Sequence, residues 1–222
     1  MDVVSVIEAA KYLEVSPRRV RRMLADELLA GRQIGREWAI ERRALESLKQ
    51  HRGPVGRPWR ASSAWAVLAI ADGDGSDLSP MDRSRARRRL AEQGLAGLVA
   101  RLGVRAEMRR FYGHPSVLKP LGAEPDVVRS GVSAAANHGA DIVAPDFLEA
   151  YVPEARIAAI ANQYGLDPNA ERPNVVLRVV DDAVWPFAPE EEVASRSVVA
   201  VDLLEAGDER SRRAGAELAR HP

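Results

Sequence analysis

The sequence predicts an α+β fold, with a small, mainly helical N-terminal module ahead of a larger domain in which helices and strands mix. Three observations carry that expectation. Two helix-start signals fall close together within residues 5–17. A stretch with two Pro and two Gly, residues 51–60, separates them from the rest. Beyond residue 104, short β-branched runs alternate with helical patterns. The chain has 222 residues and is 46% hydrophobic, which is enough for a packed core and for one large or two small domains. We place the boundaries at 1–50, a basic linker at 51–60, and 61–222, with 61–102 as a candidate helical connector.

In the N-terminal module, Ser5 and Glu8 have capping-box spacing, so a helix should follow to about Leu13 with Val6, Ala9, Ala10 and Leu13 inward. Ser16-Pro17 is a second start, with Ser as N-cap and Pro at the first helical position. That helix should run to about Asp26. Only Glu14 and Val15 separate the two, so the turn is tight, with Val15 as a plug. On the second helix Val20, Met23 and Leu24 share one face. At about 100° per residue, Arg18, Arg21 and Arg22 fall on the opposite one, with Arg19 to the side. Residues 32–40 then read as a β-hairpin around Gly35, with Ile34, Trp38 and Ile40 covering the helix pair. A third helix is expected over 41–50. Helix, tight turn, helix and hairpin together read as a winged helix-turn-helix.

Further along, helices are expected at 62–71, 81–93, 95–102, 115–121, 132–138, 154–164 and 208–219. Strands are expected at 106–112, 127–131, 147–152 and 175–180, the last rich in Val. Residues 197–201 read either as a strand or as the lead-in to a helix at 202–205. Asn137-His138-Gly139 reads as a helix C-cap with Gly in the left-handed position and His138 at the negative end of the dipole. Trp185-Pro186-Phe187 reads as a packing plug between a strand and the last helix.

The net charge is zero but uneven. Residues 1–60 carry 13 Lys+Arg against 8 Asp+Glu, residues 61–110 carry 9 against 6, and residues 111–222 carry 10 against 18. A basic front and an acidic back point to an anionic partner for the front. With no cysteine, disulfides, thiolate zinc sites and cysteine nucleophiles are excluded. There is no apolar run of membrane-span length and no signal-peptide pattern, so a cytoplasmic location without membrane contact is expected.

A helix fits the major groove of B-DNA, and arginine can donate to guanine O6 and N7 or neutralise phosphate. The candidate double-stranded DNA contacts are therefore Ser16, Pro17, Arg18, Arg19, Arg21 and Arg22 at the second helix, and Arg32 and Arg36 on the hairpin. A second basic cluster, Arg83, Arg85, Arg87, Arg88 and Arg89, points several ways from one helix. It reads equally as a phosphate-tracking face, through Arg87, Arg88 and Arg89, or as a solubilising one. Gly56-Arg57-Pro58 resembles the core of an AT-hook, which adds Arg57 as a candidate, though a plain linker is the simpler reading.

The segment Val6-Ile7-Glu8-Ala9-Ala10-Lys11-Tyr12-Leu13-Glu14-Val15-Ser16-Pro17-Arg18-Arg19-Val20, with Gly35-Arg36-Glu37-Trp38-Ala39-Ile40, resembles the excisionase and MerR-type winged-helix family. The resemblance implies a recognition helix at 17–25. Ser130-Gly131-Val132-Ser133-Ala134-Ala135-Ala136-Asn137-His138-Gly139, and later Val201-Asp202-Leu203-Leu204-Glu205 with Asp208-Glu209-Arg210 and Ala214-Gly215, are similar more loosely to the C-terminal region of AbiEi-type antitoxins of type IV toxin–antitoxin systems. That likeness implies repression of the protein's own operon and functional pairing with a nucleotidyltransferase toxin. A homodimer on a two-fold operator is the usual arrangement for such modules. The other readings are a stand-alone repressor or excisionase-like architectural protein, and a DNA-targeted enzyme. The last would need Asp141, Asp146, Asp181, Asp182 and His138 as a metal site, but their spacing matches no ligand motif. No P-loop, Gly-x-Gly-x-x-Gly or nucleophile elbow occurs, and neither catalytic residues nor a cofactor are expected.

Overall fold

The computed structural model describes residues 3–13, 15–25, 29, 31–34, 37–42, 45 and 59–220. The fold is α+β, and the chain divides into two compact units, Met1–Gly56 and Arg57–Pro222.

In the first unit, β1 (Val3–Val4) leads into α1 (Val6–Tyr12), then α2 (Pro17–Ala25), β2 (Gly31–Ile34) and β3 (Glu37–Glu41). The capping box forms: Ser5 Oγ accepts from the Glu8 amide at 3.2 Å, and the Ser5 amide donates to Glu8 Oε2 at 2.8 Å. The three strands make an antiparallel sheet in the order β1-β3-β2. The expected hairpin is present, but β1 was not anticipated; two residues carry no readable alternation. Val6, Ala9 and Ala10 of α1 and its C-cap Leu13 pack with Val20, Met23 and Leu24 of α2, Ile40 of β3 and Leu45 in one core, against which Val15 and Trp38 are half-buried. Most of the helix expected at 41–50 lies outside the described residues.

The second unit begins with α3 (Ala61–Ala71) and α4 (Pro80–Leu102). Ser79 caps α4, its Oγ accepting from the Asp82 amide at 3.1 Å. The two helices expected at 81–93 and 95–102 are joined through Gly94, whose φ of 64° breaks the helical path in a conformation glycine adopts without a side-chain clash. Next come β4 (Glu107–Phe111), α5 (Pro115–Leu121), β5 (Val128–Arg129), β6 (Leu148–Pro153), α6 (Glu154–Gln163), β7 (Val175–Val180), α7 (Arg196–Glu205) and α8 (Glu209–Arg220). The sheet order is β4-β7-β6-β5, with β6 and β7 parallel across the α6 crossover and both edge pairings antiparallel.

Period-two alternation sorts the central strands between two cores. Leu148, Ala150 and Val152 of β6, with Val175, Leu177 and Val179 of β7, face the layer holding Leu118, Leu121, Ile157 and Ile160 of α5 and α6. Tyr151 and Val180 belong to the opposite core with α3, α4, α7 and α8. Burial on both sides is why 175–180 reads as a continuous apolar run.

One expectation is corrected and two are made specific. Residues 132–138 form not an α-helix but two 3₁₀ turns, Gly131–Ser133 and Ala135–His138, ending at Gly139 with φ 83°. The His138 ring bonds the Ala194 carbonyl at 2.8 Å, so its role is a tertiary tie. Of the two readings of residues 197–201 the helical one holds: Asp72 accepts from the Ser197 amide at 2.9 Å and from Ser195 Oγ at 2.6 Å, securing the start of α7. The Trp185–Phe187 plug sits in the core that also holds Leu218 of the last helix, where Phe187 packs edge-on against Trp65 of α3 and tilted against Tyr151 of β6, with centroids 5.6 and 5.2 Å away.

An ionic cluster ties the sheet to α7. Asp202 is 0% exposed, Arg105 1% and Arg178 4%. Arg105 grips Glu205 with two bonds of 2.7 Å, donates from Nε to Tyr151 Oη at 2.8 Å and pairs with Asp202. Arg178 donates to Glu149 at 2.8 Å and to Glu205 at 2.7 Å, and its Nε lies 3.2 Å from Asp202. Tyr151 Oη donates to Asp202 at 2.8 Å, and Ser130 Oγ donates to its other oxygen. Gly131, at φ 49°, leaves room for the Glu149 carboxylate: a Cβ there would fall 1.9 Å from Glu149 Oε2. The Ser-Gly segment and Val-Asp-Leu-Leu-Glu segment singled out from the sequence thus meet here.

The cluster holds two guanidinium groups against three carboxyls, and the carboxyls respond differently. Burial pushes Glu149 above the usual carboxylate range despite Arg178. Burial would raise Glu205 as well, but Arg105 and Arg178 outweigh it and hold it below that range. Folding therefore favours a proton on Glu149 and disfavours one on Glu205. As pH falls, stability is expected first to rise as Glu149 takes its proton. It is then expected to fall from about pH 4.3, the ordinary glutamate value, down through the depressed value of Glu205. Urea melts across pH 7 to 3 check this. Glu205→Gln should flatten the acid limb, and Glu149→Gln should remove the initial rise.

Candidate nucleic-acid interface

In the first unit, Pro17 begins α2 directly after Ser16, whose Oγ accepts from the Arg19 amide at 3.3 Å. This N-cap offsets part of the unsatisfied first turn. The inner face, Val20, Met23 and Leu24, is buried to 8% exposure or less. Ser16, Pro17, Arg18, Arg19, Arg21 and Arg22 are all exposed. Burial of the apolar stripe thus fixes where the guanidinium groups go: Arg18, Arg21 and Arg22 point away from the core on one side of a helix thin enough for a major groove.

The hairpin lies next to this helix. β2 and β3 pair from Gly31 opposite Ile40 to Ile34 opposite Glu37, with Arg32 opposite Ala39. Gly31 has its Cα against α2, since a Cβ there would lie 2.7 Å from Leu24 Cδ2. Arg36 and Arg57 lie outside the described residues.

The second unit carries the other basic cluster on α4, and its arginines divide by role. Arg83 is structural, donating to the carbonyls of Gly75, Ser76 and Leu78 at 2.9–3.1 Å and closing the loop before the helix. Arg89 stacks on Trp59, 4.1 Å from the ring centroid, with Arg101 at 5.8 Å from the same ring. Partial burial and the crowding cations Arg85, Arg101 and Arg88 lower the Arg89 pKa from its ordinary value. Arg85 and Arg88 face Asp82 and Glu92 only loosely, at 4.0 and 3.9 Å, in pairs too exposed to neutralise them firmly. Arg87 is exposed. This surface favours an anion. Neither Trp59 nor Arg101 was read from the sequence as part of it; an aromatic beside Arg60 at the end of the linker was the available signal.

The acidic constellation does not assemble. Asp181 caps the turn at Asp182–Val184, Asp182 accepts from the Ala155 amide at the start of α6, and His138 is tied to Ala194. Among the described residues no three His, Asp or Glu side chains gather as metal ligands, and no helix is long and apolar enough to cross a membrane.

Two successive capped helices, a tight turn and a basic outer face define a helix-turn-helix module. Residues 3–60 match the family described as Helix-turn-helix domain. The match takes in every described element of the first unit, and on it the protein is a DNA-binding regulator. No curated protein and no solved structure matches the chain.

Proposed function

We propose that the protein is a sequence-specific repressor that binds the operator upstream of its own gene, as the antitoxin of a type IV toxin–antitoxin pair whose toxin is a nucleotidyltransferase. One observation carries the DNA reading: Arg18, Arg21 and Arg22 occupy the exposed face of a capped helix whose opposite face is buried. In this reading α2 enters the major groove, with Ser16, Pro17 and Arg19 at the phosphates beside it. The β2–β3 hairpin acts as the wing, with Arg32 and Arg36 toward the flanking backbone, and Arg57 follows from the 51–60 linker. Residues 1–50 are the DNA-binding domain and 61–222 the antitoxin-like domain. Two copies, as a homodimer or as paired monomers, sit on a two-fold operator. The antitoxin part rests on the likeness of the 130–139 and 201–215 segments alone. A nucleotidyltransferase gene next door favours it over a stand-alone repressor.

The test is a gel shift of the chain's own upstream DNA against scrambled DNA at two salt concentrations. Retention of the upstream fragment under excess scrambled competitor supports the reading, and equal competition by both rejects operator specificity.

Arg87, Arg88 and Arg89 add phosphate contacts in this scheme. Because Arg89 also holds Trp59, the cleaner variant is Arg87→Ala with Arg88→Ala. It is expected to lower the slope of log affinity against log salt by about one unit per lost phosphate contact, for specific and scrambled DNA alike, with the melting temperature unchanged. Salt titrations by fluorescence anisotropy read this directly. An unaltered slope makes the α4 cluster surface only.

A further inference from the structure

A cleft of about 460 Å³ opens in the second unit between α5, the 3₁₀ turns of 131–138 and the loop leading to β6. That volume is in the range of sites for small organic molecules. Its apolar wall includes Leu118, Phe147 and Leu148. Small residues leave it open: Gly122, Ala136 and Ala144 line positions where larger side chains would fill the space. Val143 at its margin leaves 68% of its surface to solvent, a cost that an apolar ligand would offset.

The charged lining sets the sign of the occupant. Lys119 is exposed on α5. Arg129 comes from β5, and its contact with Glu192 is loose, 3.6 Å to a carboxylate that is 80% exposed. The lining therefore carries a net positive charge, and a ligand carboxylate can replace Glu192 on Arg129 while approaching Lys119. We infer that this cleft binds a small amphipathic carboxylate, with a short apolar body against Leu118 and Phe147 and its anionic head at Lys119 and Arg129. All its lining residues belong to the second unit, and its assay involves no DNA.

The experiment uses the full chain and three six-carbon probes, sodium hexanoate, hexan-1-ol and hexylamine, followed by saturation-transfer NMR and calorimetry. Hexanoate is expected to bind at millimolar concentration, hexanol about tenfold more weakly, and hexylamine more weakly still. Lys119→Glu, at an exposed position, is expected to weaken hexanoate about tenfold and to bring hexylamine at least level with hexanol. Ala136→Trp is expected to abolish binding of all three by filling the cleft. Circular dichroism checks that both variants fold, and Lys119→Glu decides the matter alone if Ala136→Trp does not. The inference is overturned if hexanoate gives no signal at millimolar concentration. It is also overturned if hexanol or hexylamine binds as tightly as hexanoate, or if Lys119→Glu leaves hexanoate affinity unchanged.

Discussion

Replacing Arg18 and Arg22 together with alanine is expected to weaken operator binding by about 1–3 kcal/mol for each side chain, roughly 30-fold to over 10⁴-fold in total if the effects add. Both side chains are on the exposed face of α2, and the N-terminal core is built from other residues. The module should therefore keep its fold and its melting temperature. The two ways an arginine can act are separable by the DNA used. A base-reading arginine loses affinity for the operator and little for scrambled sequence, because the discarded bonds went to guanine edges. A phosphate-binding arginine loses affinity equally on both. Fluorescence anisotropy with the two duplexes at fixed salt distinguishes them. Unchanged affinity on both would remove α2 as the recognition helix.

Asp202→Ala is expected to destabilise the second unit by about 3–5 kcal/mol, a large share of the roughly 5–15 kcal/mol that holds a domain folded. The reason is the set of buried donors left without their acceptor. Asp202 is fully buried and touches Arg105, Arg178, Tyr151 and Ser130 at once. Removing it takes one acceptor from the buried guanidinium groups, leaving Arg105 with Glu205 and Arg178 with Glu205 and Glu149, and leaves the Ser130 hydroxyl without its carboxylate. Burial holds the Tyr151 hydroxyl protonated well beyond neutral pH, so the phenol does not take the aspartate's place as an anion. Asp202→Asn keeps the shape but not the charge and should fall between the two. Equilibrium urea denaturation measures both. A midpoint for Asp202→Ala close to that of the unaltered protein would mean that the cluster contributes specificity rather than stability.

Helix α2 was legible because its determinants are local. Ser16-Pro17 fixes where α2 starts, and a 3.6-residue period sorts Val20, Met23 and Leu24 from Arg18, Arg21 and Arg22. The same held for α3, α4, β6 and β7, each marked by its own capping or apolar run. The 132–138 segment misled because its alanines favour a helix, whereas Gly131 at positive φ and the tie from His138 to Ala194 hold it in 3₁₀ turns. Residues 197–201 were ambiguous because an apolar run of that length suits strand and buried helix equally, and the cap that decides it comes from Asp72, more than a hundred residues away.

By itself, then, the sequence determined the α+β class and the basic outer face of α2, since periodicity and helix caps act over a few residues. Only the tertiary structure decided that Arg105, Glu149, Arg178, Asp202 and Glu205 form one buried cluster. It also divided the α4 arginines between loop closure, stacking on Trp59 and solvent. A charge set inside an apolar run, as Arg178 in 175–180 and Asp202 in 197–204, hints at burial. Its partner is fixed by strand register and helix packing, which join residues with no spacing in common.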